Sequence, residues 1–115
     1  MIKKEKFVVI NGIRELIVNI DKYLINFPKK DIELKQQISI ASKEMLLYAY
    51  EANSSENKEK RKDLQEKIIA RLKYIDFLIN LCYEKQIING KRYLKFGESL
   101  DYILKYANGW KKSTE

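Results

Sequence analysis

The stretch Ile68-Ile69-Ala70-Arg71-Leu72-Lys73-Tyr74-Ile75-Asp76-Phe77-Leu78-Ile79-Asn80-Leu81-Cys82 decides the fold of this 115-residue chain. Within it Ile68, Leu72, Ile75, Ile79 and Cys82 recur at intervals of four, three, four and three. That spacing puts all five side chains on one face of an α-helix, as a seam that must be covered by other helices. Cys82 lies on the seam and so reads as a small core residue, not as a reactive thiol.

The same period appears on both sides of this stretch. Upstream, Ile13, Leu16, Ile17, Ile20, Leu24 and Phe27 share one helical face until Pro28 forces the preceding residue out of helical geometry. Asp31 is a candidate cap for a second helix, in which Leu34, Ile38, Ala41, Met45, Tyr48 and Ala52 repeat at four and three. Asn53-Ser54-Ser55-Glu56-Asn57 is a polar loop with a cap built in. Downstream, Asn89-Gly90 reads as a turn, after which Tyr93, Phe96, Leu100, Ile103, Ala107 and Trp110 continue the pattern. The predicted helices are 7–26, 31–52, 57–85 and 91–110. Short connections between long helices predict an all-α, antiparallel, up-and-down four-helix bundle, formed as one domain over residues 1–115.

Composition agrees with this reading. Apolar residues make up 45% of the chain and charged ones 34%, with one proline and four glycines, a helix-rich balance. Ile40, Leu46, Leu47, Tyr50 and Leu94 lie off the seams and exceed what four seams can bury, which predicts self-association. The eight tyrosines all fall within predicted helices, several of them beside a seam. Their amphipathic rings suit the edge of a core, a subunit interface, or stacking against unpaired bases.

Two absences narrow the chemistry. The chain has no histidine and a single cysteine, so it lacks an imidazole acid or base, a histidine metal ligand and an internal disulfide. No Walker loop, Gly-rich dinucleotide turn or cysteine cluster is present. Glu44, Glu51, Glu66, Asp76, Glu98 and Asp101 fall between seam positions, as residues of solvated faces do. The reading is therefore of a protein with no catalytic residues, no metal and no cofactor. Met1 to Ile10 begins like a secretory signal, with basic and then apolar residues. The apolar run breaks at Asn11, Gly12 and Arg14, however, and no cleavage site follows, so it reads as a charged lead into the first helix. No stretch approaches the ~20 apolar residues of a membrane span. The expected location is the cytoplasm.

The net charge is +7, and residues 85–115 hold seven Lys or Arg against three Asp or Glu. Lys58-Glu59-Lys60-Arg61-Lys62 is dense in charge, but Glu56, Glu59, Asp63 and Glu66 interleave with it at helical spacing, as on a solvated helix start. The cluster of Lys91, Arg92, Lys95, Lys105, Lys111 and Lys112 is opposed only by Glu98 and Asp101 nearby. It is the candidate surface for phosphate contacts.

Four segments also carry a family resemblance. Phe27-Pro28-Lys29 closes the first helix and Tyr48-Ala49-Tyr50-Glu51-Ala52-Asn53 the second; Phe77 to Glu84 lies in the third, and Gly109-Trp110-Lys111-Lys112-Ser113 ends the chain. In this order they resemble the accessory variability determinant (Avd) proteins of diversity-generating retroelements, which are grouped with the four-helix-bundle intervening-sequence proteins of ribosomal RNA genes. The resemblance implies a basic bundle that assembles into a homopentamer and binds RNA or DNA together with a reverse transcriptase. The family commonly has arginines in the third helix at the positions held here by Asp76 and Asn80. Arg71 and Lys73, one turn earlier, are the candidates to compensate. The alternative reading is a bundle that acts through protein contacts, with no nucleic-acid role.

Overall fold

A computed structural model describes residues 2–114, with side chains from residue 5 onward. Met1 and Glu115, the ends of the expected domain, lie outside the described residues, as do the side chains of Ile2, Lys3 and Lys4 in the charged lead. Four helices account for the fold: α1 (Ile2–Tyr23), α2 (Ile32–Ser54), α3 (Lys58–Glu84) and α4 (Gly90–Thr114). Each packs against its neighbours in a ring, α1 on α2 and α4, α3 on α2 and α4. The result is an all-α up-and-down bundle measuring 44 × 23 × 19 Å.

The four predicted seams form the core. Ile13, Leu16, Ile20, Ile38, Met45, Ile68, Leu72, Ile75, Ile79, Cys82, Leu100, Ile103 and Trp110 are all buried. The buried stripe is wider than the seams, because Ser42 and Ala49 on α2 and Leu64 and Leu78 on α3 are enclosed too. Leu46 differs from the expectation for that reason. One turn from both Ser42 and Ala49, it packs against the edge of the core, whereas Ile40, Leu47, Tyr50 and Leu94 are exposed as predicted. No tyrosine is buried, and each lies at or outside the rim of the core. Gly12 allows α1 and α4 to approach closely, since a Cβ there would stand 2.8 Å from Cγ1 of Ile103.

The helix ends depart from the predicted ones for identifiable reasons. α1 starts earlier, at Ile2, and Val9 and Ile10 are buried a turn before Ile13. It ends at Tyr23, and Pro28, in extended geometry, leads into a short 3-10 turn at Lys29–Asp31. Asp31 is no side-chain cap. The 3-10 turn runs straight into α2, which leaves Asp31 at φ −111, ψ 16 with no cap bond. Its carboxylate is buried and accepts instead from Lys85 Nζ at 3.2 Å, tying the start of α2 to the end of α3.

The expected cap before α3 is present, Asn57 Oδ1 accepting from the Lys60 N–H at 3.0 Å. The turn assigned to Asn89-Gly90 lies earlier, over residues 85–88. There the Gln86 N–H donates to Tyr83 O and the Ile87 N–H to Cys82 O, with Gln86 itself at φ 63. This is the Schellman arrangement that ends many helices, here with glutamine where glycine is usual. Asn89 then caps α4, its Oδ1 accepting from the Arg92 N–H at 2.8 Å. α4 continues to Thr114, whose hydroxyl donates to Trp110 O and accepts from the buried Gln65 side chain.

Among the described residues, no helix is long and apolar enough to cross a membrane.

Candidate nucleic-acid interface

The geometry sorts the eight predicted cations into groups. Lys91, Lys95, Lys105 and Lys112 are exposed on the side of α4 that faces away from the core. Arg92 and Lys111 lie on opposite flanks of the same helix, toward α1 and α3. At 1.5 Å per residue they stand roughly 28 Å apart along its axis, so the C-terminal cluster is two sites at two ends and not one patch.

The carboxyl-terminal group is partly neutralised. Lys111 Nζ pairs with Glu66 Oε2 of α3 at 3.2 Å. Lys105 Nζ rests 5.7 Å from the centre of the Tyr106 ring, and Lys112 is open to solvent.

The third helix offers less. Arg71 Nε donates to Glu44 Oε1 at 3.2 Å, and its Nη2 reaches the Tyr48 hydroxyl at 3.4 Å. Its guanidinium also sits 5.5 Å from the centre of the Tyr48 ring, so Arg71 stitches α3 to α2. Lys73 lines a narrow groove between α3 and α4 together with Asp76 and Asp101. Asn80, at a position where arginine is common in the resembling family, accepts the Tyr93 hydroxyl through its Oδ1. Arg71 is therefore spent on α2, while Lys73 is exposed and shares its groove with two carboxylates.

The amino-terminal end of α4 is different. The Arg92 guanidinium lies 3.3 Å from the centre of the Tyr23 ring, a close cation–π stack between α4 and α1. Lys22 Nζ is 5.2 Å from the same ring. Lys95 lines the adjoining groove with Asn19, Tyr23, Arg92, Phe96, Glu98 and Ser99. Among the described residues, none of Lys22, Arg92 and Lys95 is in an ion pair. Lys22, through its hydrogen bond and its charge, and then Arg92, hold the Tyr23 phenol below its ordinary pKa range against a smaller opposing effect of burial.

Stacking leaves the edge of a guanidinium free, and that edge presents N–H donors in the fork that suits a phosphate. Lys22 and Arg92 at the ring, with Lys95 in the groove beside it, can therefore hold a phosphodiester while the ring fixes the arginine. Lys22 and Tyr23 were not among the predicted site residues. The available signal was topological, because an up-and-down bundle returns the start of α4 to the end of α1.

Among the described residues, no three acidic or cysteine side chains converge as metal ligands would. Glu44 and Glu66 are in ion pairs, and none of the six carboxylates singled out above is buried. No protein-family model, no curated protein and no solved structure matches the chain.

Proposed function

We propose that this chain is a non-catalytic, homo-oligomeric accessory protein that binds RNA or DNA, of the kind found with the reverse transcriptases of diversity-generating retroelements, and acts in the cytoplasm. The observation that carries the nucleic-acid reading is the placement of Lys22 and Arg92 on the Tyr23 ring with Lys95 in the adjoining groove, none of the three in an ion pair among the described residues. Lys91 extends the same end outward. Support for the accessory role, the pentameric assembly and the polymerase partner comes from the resemblance of the Phe-Pro-Lys, third-helix and Gly-Trp segments.

The test is binding of a labelled single strand across a salt series. Each phosphate neutralised releases counterions, so the log–log slope of affinity against salt is about −0.7 per contact. The triple variant Lys22→Gln, Arg92→Gln, Lys95→Gln should bind more weakly and flatten the slope by about two units, with unchanged helical circular dichroism. Lys43→Gln, on the outer side of α2, should change the slope by less than one unit. An unchanged slope in the triple variant removes this surface from consideration, and absence of binding by the parent at low salt removes the nucleic-acid function.

A second reading, action through protein contacts alone, is favoured by one feature. Ile32, Ile40, Leu47 and Tyr50 form an exposed row along the outer side of α2. Such a row marks an interface in an assembly of either kind.

A further inference from the structure

The first turn of α4 has a second side. While Arg92 turns toward α1, the next residue, Tyr93, turns toward α3 and lies flat on Tyr83. The two rings are 4.4 Å apart between centres and only 6° from parallel. Tyr93 is the fixed partner, half-buried against the core with its hydroxyl bonded to Asn80. Tyr83 is the outer one, 44% exposed. Its contact with Tyr93 is its one ring contact among the described residues.

Beside Tyr83 runs an open groove of about 720 Å³ lined by Glu84, Gln86, Ile87, Ile88 and Asn89. A ring backed by another ring, an apolar floor and two side-chain amides are the parts that hold a flat heteroaromatic ligand with polar edges. Asn89 spends its oxygen on the Arg92 N–H, which leaves its NH₂ as a donor, and Gln86 offers both a donor and an acceptor. Gln86 also holds a left-handed conformation that glycine would adopt without cost. A side chain kept at such a position points to a use for it.

We propose that Tyr83, backed by Tyr93, is a stacking platform for an unpaired nucleobase, so that the nucleic acid taken by this end of the bundle is single-stranded. The proposal rests on the nucleic-acid reading above and specifies it. Duplex bases are stacked on one another and cannot lie on a tyrosine, whereas every unpaired base has a π-face, so the platform selects strand state without selecting sequence. The cations around Tyr23, on the α1 side of the same turn, hold the backbone.

The experiment compares three labelled probes by fluorescence anisotropy at one low salt concentration: a 12-nucleotide oligouridylate, an abasic strand of the same length and charge, and a 12-base-pair duplex. The parent should bind the oligouridylate more tightly than the abasic strand by about 5-fold to 100-fold, the range of one stacked base. Tyr83→Leu should bring the oligouridylate down to the abasic level while affinity for the abasic strand and the helical signal stay unchanged. Tyr83→Phe should keep the preference. Affinity for the duplex should be the same in Tyr83→Leu as in the parent, since paired bases cannot use the platform. Equal binding of both single strands by the parent overturns the platform and leaves the nucleic-acid reading standing. So does a preference that survives in Tyr83→Leu. A Tyr83→Leu variant that weakens both strands alike marks the residue as structural and also overturns the platform. Failure of the parent to bind any of the three probes overturns both.

Discussion

Three residues concentrate the cost and gain of this fold. Gln86 adopts φ 63 at the end of α3, where a Cβ crowds the backbone. Gln86→Gly should therefore raise stability by about 0.5–1 kcal/mol, after allowing for the greater freedom of glycine in the unfolded chain, as read from chemical denaturation. Trp110 fills the core near the carboxyl end of α4, and its backbone carbonyl accepts from Ser113, Thr114 and Gln65. Trp110→Ala should cost ~3–5 kcal/mol by the same measurement. Cys82 is fully enclosed, and burial, with a smaller contribution from the charge of Asp31, pushes its thiol up to about 11. The folded state holds the proton more tightly than the unfolded one. The stability this confers is complete below the ordinary thiol value of ~8.5 and is lost as pH rises from there toward 11. Melting temperature should fall across that window, and less steeply in Cys82→Ala.

At the scale of the element, the bundle is shaped by how its helices begin and end. α3 begins on an Asn57 cap that was legible in the sequence, and Asn57→Ala should cost about 1 kcal/mol, seen as a lower melting temperature with unchanged circular dichroism at 20 °C. The Asp31 cap was misread because a carboxylate before an apolar run also suits a buried ion pair. Only the position of Lys85, 54 residues away, distinguishes the two. The turn before α4 was placed too late for a related reason. Asn-Gly is a strong turn signal, yet here asparagine caps a helix and glycine is its first residue. At the start of the chain, α1 begins at Ile2 and not at residue 7, because the lysines at 3, 4 and 6 leave no apolar period to read there.

At the scale of the whole molecule, apolar surface remains uncovered on the outer sides of the helices. Ile40 and Leu47 are each about half exposed on α2, and Leu94 on α4 is 66% exposed. The proposed assembly would cover part of this surface. Light scattering at micromolar concentration should give a mass well above the 13.7 kDa of one chain. The double variant Ile40→Glu, Leu47→Glu should shift the mass downward if the outer row of α2 is the interface. A parent that runs at the mass of one chain counts against the homo-oligomer. The basic end of α4 belongs to this scale too, since Tyr23 and Arg92 are 69 positions apart in the chain and meet only because the bundle closes.

By itself the sequence determined that there are four helices, which residues face the core and which helix carries the surplus positive charge. Each of these follows from spacing along one helix, and a period of three and four is local information. It also determined that no imidazole chemistry is available. Only the tertiary structure decided which cations are free and which are spent. Arg71 and Lys111 are spent on Glu44 and Glu66 of neighbouring helices, while Arg92 stacks on a tyrosine that no local pattern connects to it. It also brought Tyr83 and Tyr93 face to face across the turn between α3 and α4. The physical reason is the same in each case: helical periodicity sets the direction of a side chain relative to its own axis, but the partner it meets is set by how separate axes pack.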